Sequence, residues 1–144
     1  MAKFFFFLPL LFILTSHTFL GGWETDANKA MMDAKRNNKH ILLFFTGSDW
    51  CGWCKKLDSE VFQKGDFKSF ANGNLVTVLV DFPRQKQLPE KQVIQNETLA
   101  VKYRVSGYPT VIILDPHGRA LGVLGYEEGG SSNYIRKFKQ IIGK

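Results

Sequence analysis

Apolar residues follow two alternating patterns along the chain, and together these predict a layered α/β domain. Three short runs are continuously apolar, which is typical of strands buried on both faces: His40–Phe45, Leu75–Val80 and Thr110–Leu114. Between the runs, apolar positions recur every three to four residues, as in amphipathic helices. A fourth strand, Ala120–Leu124, is expected to pair with the third across the turn Asp115–Gly118.

The helical periodicity predicts four helices around this sheet. Gly65 is expected to end the second helix, and Ser131 or Ser132 to cap the last one. Because helices alternate with strands, we expect parallel strands joined by crossover helices and closed by one antiparallel hairpin. The four helices are expected at about Asp26–Asn38, Cys51–Phe62, a stretch through Leu99, Ala100 and Tyr103, and Ser132–Ile142.

The first 22 residues follow a different pattern. Lys3 precedes the apolar run Phe4–Leu14, and polar residues come after it, which is typical of a secretory signal peptide. The run is short for a membrane span. We therefore expect residues 1–22 to be a signal peptide and residues 23–144 to form one domain. An uncleaved N-terminal anchor is the alternative.

Composition narrows the class of protein. A length of 144 residues suits one domain with a real core, and 44% hydrophobic with 22% charged residues is ordinary for a globular protein. The net charge of +6 comes from basic residues scattered along the chain. Nucleic-acid binding usually needs a basic stripe or a known motif, so we expect no nucleic-acid partner.

The candidate chemistry lies in the stretch DWCGWCKK, which holds the only two cysteines, Cys51 and Cys54. Zinc needs four ligands, and His40 and His117 show no ligand spacing. A c-type haem needs a histidine where Lys55 stands. A structural disulfide here closes too short a loop to stabilise much. A helix that begins at Cys51 favours its thiolate, so a reactive pair without metal or cofactor is the leading interpretation.

Two motifs resemble those of the thioredoxin superfamily. Trp50–Lys55, WCGWCK, resembles the active-site motif W-C-G-x-C-K, and Val105–Thr110, VSGYPT, resembles the second motif, whose proline has a cis peptide bond. With the signal peptide, the chain is most similar to periplasmic Dsb-type oxidoreductases of the DsbH-like kind. The resemblance implies a thioredoxin-like α/β fold, with a central mixed sheet, a C-terminal antiparallel hairpin and flanking helices.

Roles for individual residues are expected from their positions at the helix start and, for Tyr108 and Pro109, from the resemblance. Cys51 is expected to be exposed and to attack the substrate, while Cys54 is shielded and releases it. Pro109 is expected to lie in cis beside the cysteines, with the backbone of Tyr108 pairing with bound substrate. Trp50 and Trp53 are expected to flank the site as a substrate-contacting surface, although simple packing of Trp50 explains its position equally well.

The chain departs from the thioredoxin pattern at three places. Phe45 stands where thioredoxin has a buried aspartate, so a proton-shuttling role cannot be carried over. Trp53 replaces the proline between the cysteines, and the segment Phe82–Gln95 is longer than in a minimal thioredoxin. This segment either shapes partner choice or is a tolerated surface insertion, the second being favoured. Lys55 is expected to be mainly solvated, and His40 and His117 to be bystanders.

The expected direction of electron flow follows from the free energy needed to lower the pKa of the attacking cysteine. Lowering a cysteine pKa from about 8.5 to about 7 takes about 2 kcal/mol, which a helix N-terminus can supply. A DsbA-like pKa of about 3.5 takes about 7 kcal/mol, and no residue supplies the difference. A disulfide reductase is therefore favoured over an oxidase or isomerase, and over a thioredoxin-fold binding module. Its expected partners are protein or small-thiol disulfides and a membrane electron donor, and it is expected to be a monomer.

Overall fold

The computed structural model describes residues 22–144, so the predicted signal peptide lies outside the described residues except for Gly22. No helix within residues 22–144 is long and apolar enough to span a membrane. The described elements are, in order, α1 (Ala27–Asn37), β1 (His40–Thr46), α2 (Gly52–Leu57, continued by a π-helical segment, Asp58–Phe62), α3 (Gly65–Asn74), β2 (Leu75–Asp81), α4 (Glu90–Lys102), β3 (Thr110–Leu114), β4 (Ala120–Leu124) and α5 (Gly130–Ile142).

The four strands form a mixed sheet in the order β2–β1–β3–β4. β1 and β2 are parallel, and Thr46 at the end of β1 lies opposite Asp81 at the end of β2. β3 is antiparallel to β1 and forms the predicted hairpin with β4. The expectation that β3 runs parallel to β1 is therefore wrong. The connection after α4 brings Thr110, the first residue of β3, beside Phe45 near the end of β1, so β3 runs back along its neighbour.

The core lies on both faces of the sheet, as the continuous apolar runs predict. Side chains alternate between the faces of a strand. Leu42 and Phe44 of β1 pack into a cluster with α2, α3 and α5, whereas Ile41, Leu43 and Phe45 pack into a second cluster with α1 and α4. β1 is thus a central strand whose C-terminal end carries the cysteine segment.

The structure contains a helix that the sequence analysis missed. Gly65 begins α3 instead of only ending the preceding helix, as was expected. Phe67 is the one residue of α3 that is buried, so the segment shows little apolar periodicity. The preceding helix does end at Phe62, with its last five residues in a π-helical segment.

A side chain caps the start of α1 but not that of α5. The Asp26 carboxylate caps α1 by accepting a first-turn N–H at 3.0 Å. α5 begins without a side-chain cap, so the prediction that Ser131 or Ser132 caps it is wrong. Both serine hydroxyls instead donate to the carboxylate of Asp66 in α3, at 2.8 and 3.3 Å. These serines therefore contact Asp66 of α3, the helix that the sequence pattern did not predict.

Candidate active site

Cys51 is the N-cap of α2 and follows a tight turn at the end of β1. Its backbone N–H donates to the carbonyl of Gly47 at 2.9 Å, and its backbone is extended. Its Sγ accepts the N–H of Cys54 at 3.2 Å. A side chain that accepts such a bond satisfies one of the free N–H groups of the first helical turn. The sulfur of Cys51 therefore lies at the positive end of the helix, as predicted.

Cys51 and Cys54 are joined by a disulfide in this structure. Their exposed fractions are 6% and 1%, and both belong to the apolar cluster beneath α2. The expectation that Cys51 is exposed is therefore wrong, while the shielding of Cys54 is confirmed. The reason is the cap geometry, because a side chain that folds back over the first turn of its helix turns away from solvent.

Trp50 is fixed by contacts with a distant segment. Its indole Nε1–H donates to the carbonyl of Phe82 at 2.8 Å. Its ring lies so close to Gly47 that a Cβ there would come within 2.3 Å of it, so no larger residue fits without moving the indole. The edge of the ring meets Tyr108, with ring centroids 5.9 Å apart. Trp50 is thus packed against its neighbours, and its contact with Tyr108 joins the two motifs.

Asp49 ties this turn to residues 84–86. Its carboxylate accepts the backbone N–H groups of Arg84 at 2.9 Å, Gln85 at 2.8 Å and Lys86 at 3.2 Å. These hydrogen bonds, with that of Arg84 first, hold the pKa of Asp49 below its ordinary value. We call the contact between residues 48–50 and residues 81–86 the clasp.

Asp81 forms the buried half of the clasp. Its side chain is 2% exposed. Its carboxylate accepts the N–H of Ser48 at 2.9 Å and the hydroxyl of Ser48 at 2.6 Å, and it pairs with the ammonium group of Lys86 at 3.0 Å. The amide of Asn96, on α4, donates to the carbonyl of Asp81 at 2.8 Å. A buried carboxylate with this many partners holds the turn before Cys51 in one position.

Trp53 stands between the two cysteines in the sequence and is 58% exposed. Its ring packs on Tyr126, with centroids 5.1 Å apart, and the ammonium group of Lys56 lies 5.1 and 5.0 Å from the two ring centroids. The Tyr126 hydroxyl donates to Glu60 at 2.6 Å, and this bond raises the pKa of Tyr126. Trp53 therefore offers an open aromatic surface beside the cysteines.

The second motif lies against Trp50. The Tyr108–Pro109 peptide bond is cis, as the resemblance implies. The ring of Tyr108 also packs on Phe82, with centroids 5.3 Å apart, and burial raises the pKa of Tyr108. The structure thus brings Trp50, Tyr108 and Phe82 together on one side of the cysteine pair.

Other residues singled out in the sequence lie elsewhere or make weaker contacts. His40 starts β1, at the end of the sheet away from the cysteines, and burial lowers its pKa. His117 lies in the turn between β3 and β4. Lys55 reaches the carbonyl of Asp49 at 3.5 Å. Phe45 is fully buried between Val80 and Thr110 in the sheet.

Potential ligands and cavities do not add a second centre to the described chain. Within residues 22–144, no group of three or more His, Cys, Asp or Glu side chains is placed to hold a metal ion. A cavity of about 800 Å³ lies between α1, α3 and the start of β2, but neither cysteine lines it. Disulfide exchange is the attack of a thiolate on a disulfide sulfur and needs no enclosed cavity.

Sequence reasoning missed Asp49, Asp81, Arg84 and Tyr126. One signal was present for the first three. β1 and β2 were predicted to be parallel, and the C-terminal ends of parallel neighbours share one edge of a sheet, so the segments after Thr46 and after Val80 had to meet. Tyr126 had no such signal, because its contact with Trp53 depends on how β4 leaves the sheet.

Comparisons with known proteins agree with this geometry. The profile of the thioredoxin-like domain family matches residues 27–136. The disulfide bond reductase DsbH of Chlamydia pneumoniae is 41% identical over 120 residues, which cover 83% of this chain and 72% of that protein. A solved structure of a DsbH oxidoreductase, 40% identical, superposes with a TM-score of 0.80 over 85% of this chain and 84% of that one.

A second relative shares the domain but is a longer protein. The thioredoxin-related protein DsbJ of Chlamydia pneumoniae is 30% identical over 112 residues, covering 76% of this chain and 32% of that protein. The match over most of the chain, together with the cysteine pair at the start of α2, defines the class. The chain belongs to the thioredoxin-like family and is a thiol–disulfide oxidoreductase.

Proposed function

We propose that the protein is a periplasmic disulfide reductase in which Cys51 attacks the substrate and Cys54 releases it. The observation that carries this proposal is the position of the Cys51 sulfur, which accepts the N–H of Cys54 at 3.2 Å at the start of α2. A thiolate at that place gains the same hydrogen bond and the helix dipole. The similar protein named a disulfide bond reductase supports the direction.

The reaction proceeds in two exchange steps. The reduced Cys51 thiolate attacks one sulfur of a substrate disulfide, forms a mixed disulfide and expels the other substrate sulfur as a thiolate, which takes up a proton. The Cys54 thiolate then attacks Cys51 Sγ, closes the Cys51–Cys54 disulfide and releases the second substrate thiol. Two electrons pass to the substrate, so a reducing partner must restore the dithiol. We assign this task to a membrane electron donor.

The residues around the disulfide are assigned to substrate contact. Trp50 and Trp53 flank the cysteines, and Tyr108 with Pro109 borders Trp50. In this proposal the substrate chain passes along Tyr108 and Pro109, and its flanking side chains rest on the two indole rings. The low exposure of Cys51 means that the substrate sulfur must enter between these groups.

Location and organisation follow from the N-terminal pattern. Residues 1–22 are proposed to direct export and to be removed, which leaves residues 23–144 as a single thioredoxin-like domain in the periplasm. The proposed substrates are disulfide-bonded proteins or small-thiol disulfides, and the domain acts as a monomer without a bound cofactor.

An insulin-reduction assay tests the activity. With dithiothreitol as reductant, the protein should accelerate insulin precipitation, and Cys51→Ser should lose the acceleration. Ser59→Ala, an exposed change elsewhere in the same helical region, is the matched control and should retain it. Absence of turnover in the unaltered protein would contradict the reductase and favour a binding module of the same fold.

A further inference from the structure

Arg84 is an exposed cation held in a fixed place beside the cysteine motif. Its guanidinium carbon lies 3.7 Å from the centroid of the Trp50 ring. At that distance the guanidinium is stacked on the indole face. Among residues 22–144, none of the observed ion pairs or side-chain hydrogen bonds involves this guanidinium.

The clasp explains why this position is fixed. The backbone N–H of Arg84 is bound to the Asp49 carboxylate, and the carbonyl of Phe82, two residues earlier, accepts the Trp50 indole N–H. Two residues later, the ammonium group of Lys86 pairs with the buried Asp81 carboxylate. The segment is therefore anchored before, at and after Arg84, which keeps the Arg84 backbone beside Trp50.

The location lies on the path of a substrate. Trp50 directly precedes Cys51, so the two Cα atoms are about 3.8 Å apart. A peptide cysteine that reaches Cys51 must bring its neighbouring residues over the Trp50 face or the Trp53 face. A flanking side chain that packs beside the Trp50 ring approaches the guanidinium stacked on that ring.

The chemistry of the guanidinium defines its ligand. Stacking uses the face of the group and leaves its N–H edges free to donate. A carboxylate can accept two of these N–H groups together, which is the favoured geometry for an arginine. On the Trp53 face the corresponding cation, Lys56, already has Glu60 at 3.9 Å, whereas the observed ion pairs of the described residues do not include Arg84.

We propose that Arg84 forms a carboxylate subsite that favours disulfide substrates carrying Asp or Glu beside the reacting cysteine. Arg84 is thus a specificity-determining residue, and Asp49 is the residue that positions it. This inference rests on the disulfide-reductase function proposed above.

Two peptide disulfides that are identical except for Glu or Gln beside the cysteine test the subsite. The unaltered protein should show a kcat/KM for the Glu peptide about two- to fivefold above that for the Gln peptide, the size of an exposed ion pair. Arg84→Gln should bring this ratio to about one. Asp49→Asn should lower the ratio in the same direction.

Controls separate charge from other effects. In Lys139→Gln, the altered cation also lies over a ring, that of Phe70, at 5.6 Å, but it lies between α3 and α5, and the ratio should not change. In 1 M salt the ratio of the unaltered protein should fall towards one.

The outcomes distinguish the two proposals. If the unaltered protein reduces both peptides at the same rate, or if Arg84→Gln or 1 M salt leaves the ratio unchanged, the subsite is wrong and the reductase stands. If the protein reduces neither peptide, the proposed function is wrong and the subsite falls with it.

Discussion

Two tryptophans flank the same cysteine and are held in opposite ways. Trp50 is half-buried, donates its indole N–H to the carbonyl of Phe82 and meets Tyr108 edge-on. Trp53 is 58% exposed and makes its described ring contacts with Tyr126 and Lys56. The first belongs to a hydrogen-bonded framework, and the second belongs to an open surface.

The difference shows how one short motif can serve two purposes. Contacts across 32 to 37 residues fix the Trp50 side, because Asp49 accepts the backbone N–H groups of residues 84–86, Asp81 accepts two groups of Ser48, and Trp50 donates to Phe82. On the Trp53 side, Trp53 itself is held by ring packing on Tyr126, whose hydroxyl donates to Glu60, and aromatic area stays exposed. We infer that the Trp50 side positions the substrate and that the Trp53 side adapts to its shape.

The largest expected effect comes from exchanging each cysteine for serine. The exchange bears on the comparison because Cys51 directly follows Trp50 and Cys54 directly follows Trp53. Cys54→Ser should accumulate mixed disulfides with substrates, because attack survives and release is lost. Cys51→Ser should trap nothing and lose turnover. Non-reducing gels of protein incubated with disulfide peptides measure both. If Cys51→Ser instead forms mixed disulfides through Cys54, the substrate is attacked on the Trp53 side, and the roles given to the two sides are wrong.

Substitutions on the Trp50 side should lower the free energy of unfolding more than substitutions on the Trp53 side. Asp81→Ala leaves the Ser48 N–H and hydroxyl and the Lys86 ammonium group without their buried partner, so we expect a loss of about 3 kcal/mol in the free energy of unfolding. Glu60→Ala, the matched change beneath Trp53, should cost less than about 1 kcal/mol because its partners are more exposed. Urea unfolding measures both, and equal losses would contradict a rigid Trp50 side.

A smaller effect is expected when each indole loses its N–H. Trp50→Phe leaves the Phe82 carbonyl without its donor and should cost about 1–2 kcal/mol of unfolding free energy. Trp53→Phe keeps a ring on Tyr126 and should cost about 0.5 kcal/mol or less. A greater loss for Trp53→Phe in thermal or urea unfolding would show that the open side carries more of the structure than the clasp does.

The smallest effect concerns pH. Hydrogen bonds from Arg84, Gln85 and Lys86 lower the pKa of Asp49 in the folded protein. A lowered pKa stabilises the fold above the unfolded value of about 3.9, and this stabilisation is lost as the pH falls through the folded value.

The stability difference between the unaltered protein and Asp49→Asn should therefore be constant from about pH 5 to 7 and shrink below about pH 4. Urea unfolding across this range measures it. Ser59→Ala, an exposed change that removes no titrating group, is the control and should show no such trend. A difference that grows on acidification would contradict the role of the Asp49 carboxylate.

The sequence predicted the elements whose burial shows in the pattern. β1 is buried on both faces and α1 has a single apolar stripe, so both were located within a few residues. α3 was missed because Phe67 is its only buried residue. The direction of β3 was wrong because apolar continuity shows that a strand is buried but not which way it runs.

The site also contains features that the sequence predicted and features that it did not. The spacing of Cys51 and Cys54 identified the chemistry, and the resemblance of the second motif led to the cis bond before Pro109, which the structure contains. The clasp could not be read from local patterns, because Asp49 binds backbone N–H groups that any residue offers. The segment Phe82–Gln95 was expected either to shape partner choice or, as the favoured alternative, to be a tolerated surface insertion. Its first residues form half of the clasp, and its last six belong to α4.

The equilibrium redox potential of the cysteine pair tests the central claim, that the protein reduces disulfides, most directly. Equilibration of the unaltered protein with glutathione buffers, followed by tryptophan fluorescence or thiol alkylation, measures it. The account predicts a potential closer to that of thioredoxin, about −270 mV, than to that of DsbA, about −120 mV, a gap of about 7 kcal/mol for two electrons. A potential above about −150 mV would make the protein an oxidant and contradict the proposed direction.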